Sequence, residues 1–323
     1  MKKLALILSC FFLTAIFFSC SKDEPISPNL TTPQQKTSLG KSSSSAAGDQ
    51  LASIMDAINM QLTTDGANYR VGYAEYLNGS GDEAGATVIS KVVGNKQLGH
   101  DFVPFDSRRA GWSGSASGSD DITYAIDQTG DAVPSLGGLS GAQTTAAINR
   151  AMATWDEVNC STLPLTQNSS SGIDIGVVAF LNGFGGSPFI VADVQHAGWR
   201  DIDFAPGILG VTFTFIFINP DGSPTDIDSN GNLDAAFREI YYDPSFTWRD
   251  DGVNNIDVET VALHEAGHGL SQAHFGNIFI KNDGSIQAAP RAVMNAFYFS
   301  PQRTLLGTDN GGHCSNWANW PNN

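Results

Sequence analysis

Basic residues are scarce in this chain. Of 323 residues only 17 are lysine or arginine, against 33 aspartate or glutamate, for a formal charge of −16. Such a balance offers no basic stripe for a phosphate backbone, which sets DNA and RNA aside as partners. Cysteine is rarer still, at four. Cys10 and Cys20 fall in or at the end of an N-terminal apolar stretch, which leaves Cys160 and Cys314 for the folded part. No Ser or Cys sits in a recognisable nucleophile motif, so covalent hydrolysis has nothing to stand on. After the first twenty residues no apolar run is long enough to span a bilayer.

What the N-terminus does have is an export signal. Lys2 and Lys3 precede an apolar stretch from Leu4 to Phe18 that ends in Ser19-Cys20, read as a signal peptide over 1–19. A Cys directly after a small residue looks like a bacterial lipobox, so Cys20 is expected to become the lipidated N-terminus. Phe17 is a less usual residue at its position, and ordinary cleavage with an incidental Cys20 is the alternative. Ser21-Lys22-Asp23-Glu24 resembles the acidic tag of lipoproteins displayed on the outer surface of some Gram-negative bacteria. The expectation is an exported outer-membrane lipoprotein, held to the membrane by its lipid alone and monomeric. Without Lys2 and Lys3 the chain carries 15 basic and 33 acidic residues, or −18. Asp23 to Gly48 is rich in Ser, Thr, Pro, Gln and Lys and reads with Cys20 as a flexible tether over 20–48.

Residues 49–115 form their own pattern. Leu51, Ile54, Met55, Ile58 and Leu62 recur at helical spacing, while Tyr69–Tyr76 and Ala86–Val93 read as strands. This stretch is expected to be an appendage or a propeptide-like region. It contains no Cys to bind a metal, so latency would need an acidic cap such as Asp101, with Arg108-Arg109 as a cleavage point. From 116 to 323 strands are expected at Ile122–Ile126, Ile173–Val178 and Gly210–Ile218, and a helix over Thr144–Trp155.

The chemistry is concentrated in His264-Glu265-Ala266-Gly267-His268-Gly269-Leu270-Ser271-Gln272-Ala273-His274. On a helix His264 and His268 are i,i+4 neighbours and share one face. His274, six residues on, reaches the same ion only if the helix ends between them. Three protein ligands leave a fourth tetrahedral position open, as in catalytic zinc sites, where bound water reaches a pKa of about 7. Glu265 is placed to take a proton from such a water. Asp257 is a plausible N-cap, and Glu259 in the first turn suits the positive helix end.

With Ala292-Val293-Met294-Asn295-Ala296-Phe297-Tyr298 twenty positions later, the chain resembles the metzincin metalloproteases of the M10 type, and its Val-Met-x-x-x-Tyr wording most resembles the matrixin branch. The resemblance implies an α+β catalytic domain with a twisted mixed β-sheet, an active-site helix and a Met-turn. It further implies one catalytic zinc on His264, His268 and His274, Glu265 as general base, Met294 as the floor under the metal, and Tyr298 in the wall of the pocket for the residue after the scissile bond. Phe246-Thr247-Trp248 echoes the same branch. Ser271 stands where the family carries glycine, and two outcomes are open: a mildly strained turn or a displaced third ligand.

Asp226-Ile227-Asp228-Ser229-Asn230-Gly231-Asn232-Leu233-Asp234 matches the opening of an EF-hand calcium loop, with oxygens from Asp226, Asp228, Asn230 and Asn232. Phe237 takes the place of the usual bidentate Glu, for which Asp234 or Glu239 is the substitute; a solvated turn is the alternative. Cys160 and Cys314 most simply form one disulfide from a helix end to the C-terminal tail, with free buried thiols as the alternative. His100, His196 and His313 lack partners at ligand spacing and read as hydrogen-bonding or surface residues. The expectation is therefore a zinc endopeptidase acting on protein or peptide. Its rival is a noncatalytic surface binding or adhesion protein built on the same scaffold.

Overall fold

Long strands of β-branched and aromatic residues, buried on both sides, decide the architecture of this computed structural model. It describes residues 46–79, 97–113, 119–170, 172–253, 256–280 and 286–322. The signal, Cys20, nearly all of the tether and the strand expected over Ala86–Val93 lie outside the described residues.

One mixed sheet carries seven strands in the order β1 (Tyr69–Asn78), β6 (Ile208–Phe217), β7 (Leu233–Tyr242), β5 (Val194–Trp199), β3 (Ile122–Ile126) and β4 (Leu165–Gln167), with β2 (His100–Asp101) also on β7. β2, β7, β5, β3 and β4 pair in parallel, whereas β6 runs antiparallel to both β7 and β1. Every residue of β6 is buried. Val211, Phe213, Phe215 and Phe217 point into one core; Thr212 and Thr214 point to the other face, as the period of two requires.

Helices cover both faces. α1 (Ala46–Thr64) and α4 (Val177–Asn182) pack on the phenylalanine side. Leu51, Met55, Ile58 and Leu62 form the buried stripe of α1, each worth roughly 1.5–3 kcal/mol of burial. α1 begins at Ala46, two residues before the expected tether ends at Gly48. On the opposite face lie α3 (Gly141–Asp156) and α5 (Val258–Gly269). Ser140 and Gln143 close a capping box that starts α3. The remaining elements are a single turn α2 (Ala110–Ser113), the short parallel pair β8 (Trp248–Arg249) and β9 (Ile256–Asp257), the hairpin β10 (Asn277–Ile280) and β11 (Ile286–Ala289), and a last helix α6 (Gly307–Trp317). Among the described residues no helix is long and apolar enough to cross a membrane.

Two expectations are corrected and one is filled in. Ile173–Val178 is not a strand: its end opens α4, because the buried Glu239 carboxylate accepts the Val177 and Val178 N–H groups at 2.7 and 3.0 Å. Of the stretch 49–115, the described β1 and β2 hydrogen-bond into the main sheet and α1 completes one of its cores, so these parts pack on the rest as an appendage does. Arg108-Arg109 is not an accessible cleavage point, because Arg109 is fully buried on Asp193, at 2.8 and 2.9 Å.

Candidate metal centre

α5 is threaded through the interior, and the sequence dictates both of its ends. Asp257 caps the start, accepting from the Thr260 N–H at 3.1 Å, and is itself paired with Arg303. Glu259 in the first turn pairs with Arg150 and Arg303. The finish is a Schellman motif: the Ser271 N–H reaches His268 O at 3.0 Å and the Gln272 N–H reaches Gly267 O at 2.9 Å. Such a motif needs a left-handed residue, and Ser271 supplies it at φ 63°. A non-glycine residue held there costs about 1–2 kcal/mol. Its hydroxyl accepts from the buried Arg238 guanidinium at 3.0 Å, which offsets that cost. Of the two outcomes open at Ser271, the structure has the strained turn.

That turn brings His274 back to the helix. The Nε2 atoms of His264, His268 and His274 form a triangle with all three sides 3.1 Å. His264 Nδ1 lies 2.7 Å from Val293 O, and His268 Nδ1 lies 2.8 Å from Gln272 O. Facing carbonyls, these Nδ1 atoms carry the hydrogens, which leaves Nε2 lone pairs converging on one point. Burial keeps the rings neutral, pushing His264 down to about 4 and His268 well below the ordinary histidine range. Converging lone pairs repel unless a cation lies between them. Zinc at about 2.0–2.1 Å from each nitrogen of a tetrahedral set would space them about 3.3–3.4 Å apart, close to the triangle present. The donor set therefore fits zinc.

Glu265 projects toward β6. Its Oε2 accepts from Thr212 Oγ1 at 2.6 Å, and the Leu77 N–H of β1 also favours its charged form. Burial outweighs both and pushes the carboxyl up to about 8. Glycine at 210 makes this approach possible, because a Cβ there would lie 3.0 Å from Glu265. Met294 is fully buried against the helix, its Sδ 2.3 Å from where a Cβ on Gly267 would stand, between the two helical ligands. Asp309 holds that turn, accepting from the Val293 and Met294 N–H groups at 3.1 Å and from Leu306 N–H at 2.8 Å. Tyr298 Oη accepts from the Asp257 N–H at 3.1 Å and lines a narrow cavity beside His264 with Thr260 and Val293.

The calcium expectation falls on a real loop. Oxygens of Asp226, Asp228 and Asp234 lie within 4.8 Å of one another. Asp226 accepts from the Asn230 and Gly231 N–H groups, while Asn230 and Asn232 donate their side-chain amides to Asp101. Glu239 does not belong to this loop, being committed to α4 on the far face of the sheet. Asp101 stands at the loop and not over the imidazoles, and burial pushes it up to about 6. Cys160 and Cys314 are joined in a disulfide. His100, His196 and His313 are all buried, not superficial: His196 Nδ1 contacts Tyr242 Oη, His100 Nδ1 contacts Arg238, and His313 stacks on Trp155.

Thr212, Arg238 and Asp309 had no signal in the sequence, because each reaches the site from an element remote in the chain. No protein-family model matches the chain, and no curated protein matches it.

Proposed function

We propose that the chain is a zinc-dependent endopeptidase of matrixin-like type, exported and anchored at the cell surface through Cys20. The observation that carries this reading is the Nε2 triangle of His264, His268 and His274 with Glu265 one residue from its first member. The HExxH helix, the third His and the buried Met294 under Gly267 support the metzincin assignment. A zinc ion bound there supplies Lewis acidity toward a water molecule and a scissile carbonyl.

The chain's own groups do the rest. A cation held by the three imidazoles would favour the ionised form of Glu265, which takes a proton from the attacking water and returns it to the leaving amine as the C–N bond breaks. Thr212 holds that carboxylate in place. Val293 and Gln272 carbonyls fix the ligand tautomers. An extended peptide gains main-chain hydrogen bonds from a sheet edge and specificity from pockets for its alternate side chains.

Glu265→Gln tests this reading, made both in the full chain and in one that also carries Leu77→Asp, which loosens the strand end packed beside His264. Casein cleavage should fall about 100- to 10,000-fold while bound zinc stays at the wild-type level, and a chelator should abolish both. Zinc bound with no cleavage by any form would favour the noncatalytic binding reading.

The loop at 226–234 is assigned to calcium on the same footing. Arg108 already neutralises Asp234, at 2.6 Å, so the site should be of the weak extracellular class, roughly 10⁻⁴–10⁻³ M. Calcium at a hundredfold excess over that constant should add about 2.7 kcal/mol of stability, measured by thermal unfolding, and Asp228→Ala should remove the gain.

A further inference from the structure

The edge of the sheet beside the zinc helix is already taken. β6 uses one edge for β7 and the other for β1, paired antiparallel from Tyr69 opposite Phe217 to Asn78 opposite Ile208, with register shifts between Val71 and Tyr73 and between Leu77 and Asn78. At its end β1 is bonded on both sides. The Asn78 N–H donates to Ala296 O at 3.2 Å, and the Tyr298 N–H donates to Asn78 O at 2.9 Å. Asn78 bridges Phe297 in parallel, while β6 opposite is antiparallel. Main-chain bonds to a sheet edge on one side and to a pocket wall on the other are what a peptide lying in a cleft makes.

The side chains agree. Leu77 is 2% exposed and lines the cavity shared by His264, Thr260, Val293 and Tyr298, and its N–H faces the Glu265 carboxylate. Beside it Glu265 and His268 are 0% exposed and His264 1%, while His274 is only half-buried. A hydrolase must admit water and a peptide to such groups, and an edge strand needed only for the core has no reason to end against them. The two ends of β1 serve different cores: Val71 and Ala74 pack with Leu51, Met55, Ile58 and Leu62 of α1, whereas Leu77 joins the cluster on the face of the sheet that carries α5.

Building on the peptidase reading, we propose that the end of β1 occupies the course of a substrate, with Leu77 in the side-chain pocket. The chain thus closes its own cleft, and the cleft accepts an extended peptide bearing a branched aliphatic residue at that place once the strand is displaced.

The test uses the zinc-loaded full chain with two probes: a peptide hydroxamate carrying one leucine side chain, and acetohydroxamate, which has none. Zinc content and amide exchange at Asn78 and Tyr298 are measured on the same samples. Wild type should bind both probes alike. Leu77→Asp should bind the leucyl probe at least tenfold more tightly than wild type, with both amides exchanging faster. Should that variant fail to fold, Leu77→Ala, which only shortens the side chain, is expected to show the same preference. Wild type binding the leucyl probe more than tenfold better than acetohydroxamate, with both amides still protected, would overturn the inference. So would a folded variant with loosened amides and no gain in leucyl binding. Zinc absent from wild type removes the peptidase reading and this inference together, whereas zinc present with an open cleft removes this inference alone.

Discussion

Ser271 is where a single side chain decides whether the third ligand arrives. It holds φ 63° at the end of α5 and takes a hydrogen bond from Arg238, which also donates to Gly269 O and contacts His100. Two effects of similar size oppose each other: left-handed strain of about 1–2 kcal/mol and a charge-assisted hydrogen bond of about 1.5–3 kcal/mol. Ser271→Ala keeps the strain and loses the bond, so it should cost about 1.5–3 kcal/mol. Ser271→Gly loses the bond but also relieves the strain, and should cost about 1 kcal/mol less than the alanine variant. Denaturant unfolding of the two variants measures the difference, and zinc affinity should follow the same order. Alanine proving no worse than glycine would mean that the Arg238 bond contributes nothing.

At the scale of elements, the turn carrying Met294 has little to hold it by itself. Residues 292–295 form no strand or helix, and Asp309 from the start of α6 satisfies two of their N–H groups, while Asn295 reaches back to Phe275 O and Pro290 O. Removing a buried acceptor leaves its donors unpaired at about 1–3 kcal/mol each. Asp309→Ala is therefore expected to destabilise the fold by several kcal/mol and to weaken zinc binding, since Val293 O can no longer be relied on to orient His264. Zinc titration against a competing chelator would show this as at least a tenfold loss. Unchanged affinity would mean that packing around Met294 alone holds the turn.

For the whole molecule, acid and reduction are the two weaknesses. Burial pushes His196 down to about 3 and His313 down to about 4. Both stay neutral in the fold while the unfolded chain binds protons at about 6.5, so the unfolded state takes up more protons and stability falls with pH. Their contribution is complete above about pH 6.5 and is lost as pH drops toward 4, on the order of 3 kcal/mol for His313. Asp101, raised to about 6, works in the opposite sense over part of that range. His313→Phe keeps a ring on Trp155 and should move the acid-unfolding midpoint to lower pH, as followed by tryptophan fluorescence. The disulfide closes a loop of 154 residues, worth about 5 kcal/mol in chain entropy. Reduction should lower the denaturant midpoint accordingly, and an unchanged midpoint would show that the unfolded chain is already held compact.

The sequence by itself determined what depends on short separations. The i,i+4 imidazoles, the Asp257 cap, the buried stripe of α1 and the run of β-formers in β6 are all local patterns, and each lies in the element that its pattern called for. Cys160 and Cys314 could be paired only because so few cysteines remained. The tertiary structure decided what depends on the meeting of distant segments. A one-dimensional pattern at Ile173–Val178 could not show that Glu239 would capture the Val177 and Val178 amides and turn an expected strand into a helix. Nor could composition reveal that Tyr69–Asn78, outwardly an appendage, would lie along β6 and end between Ile208 and Tyr298. An unpaired strand edge satisfies any strand that reaches it, and which strand arrives is settled by packing across the whole sheet.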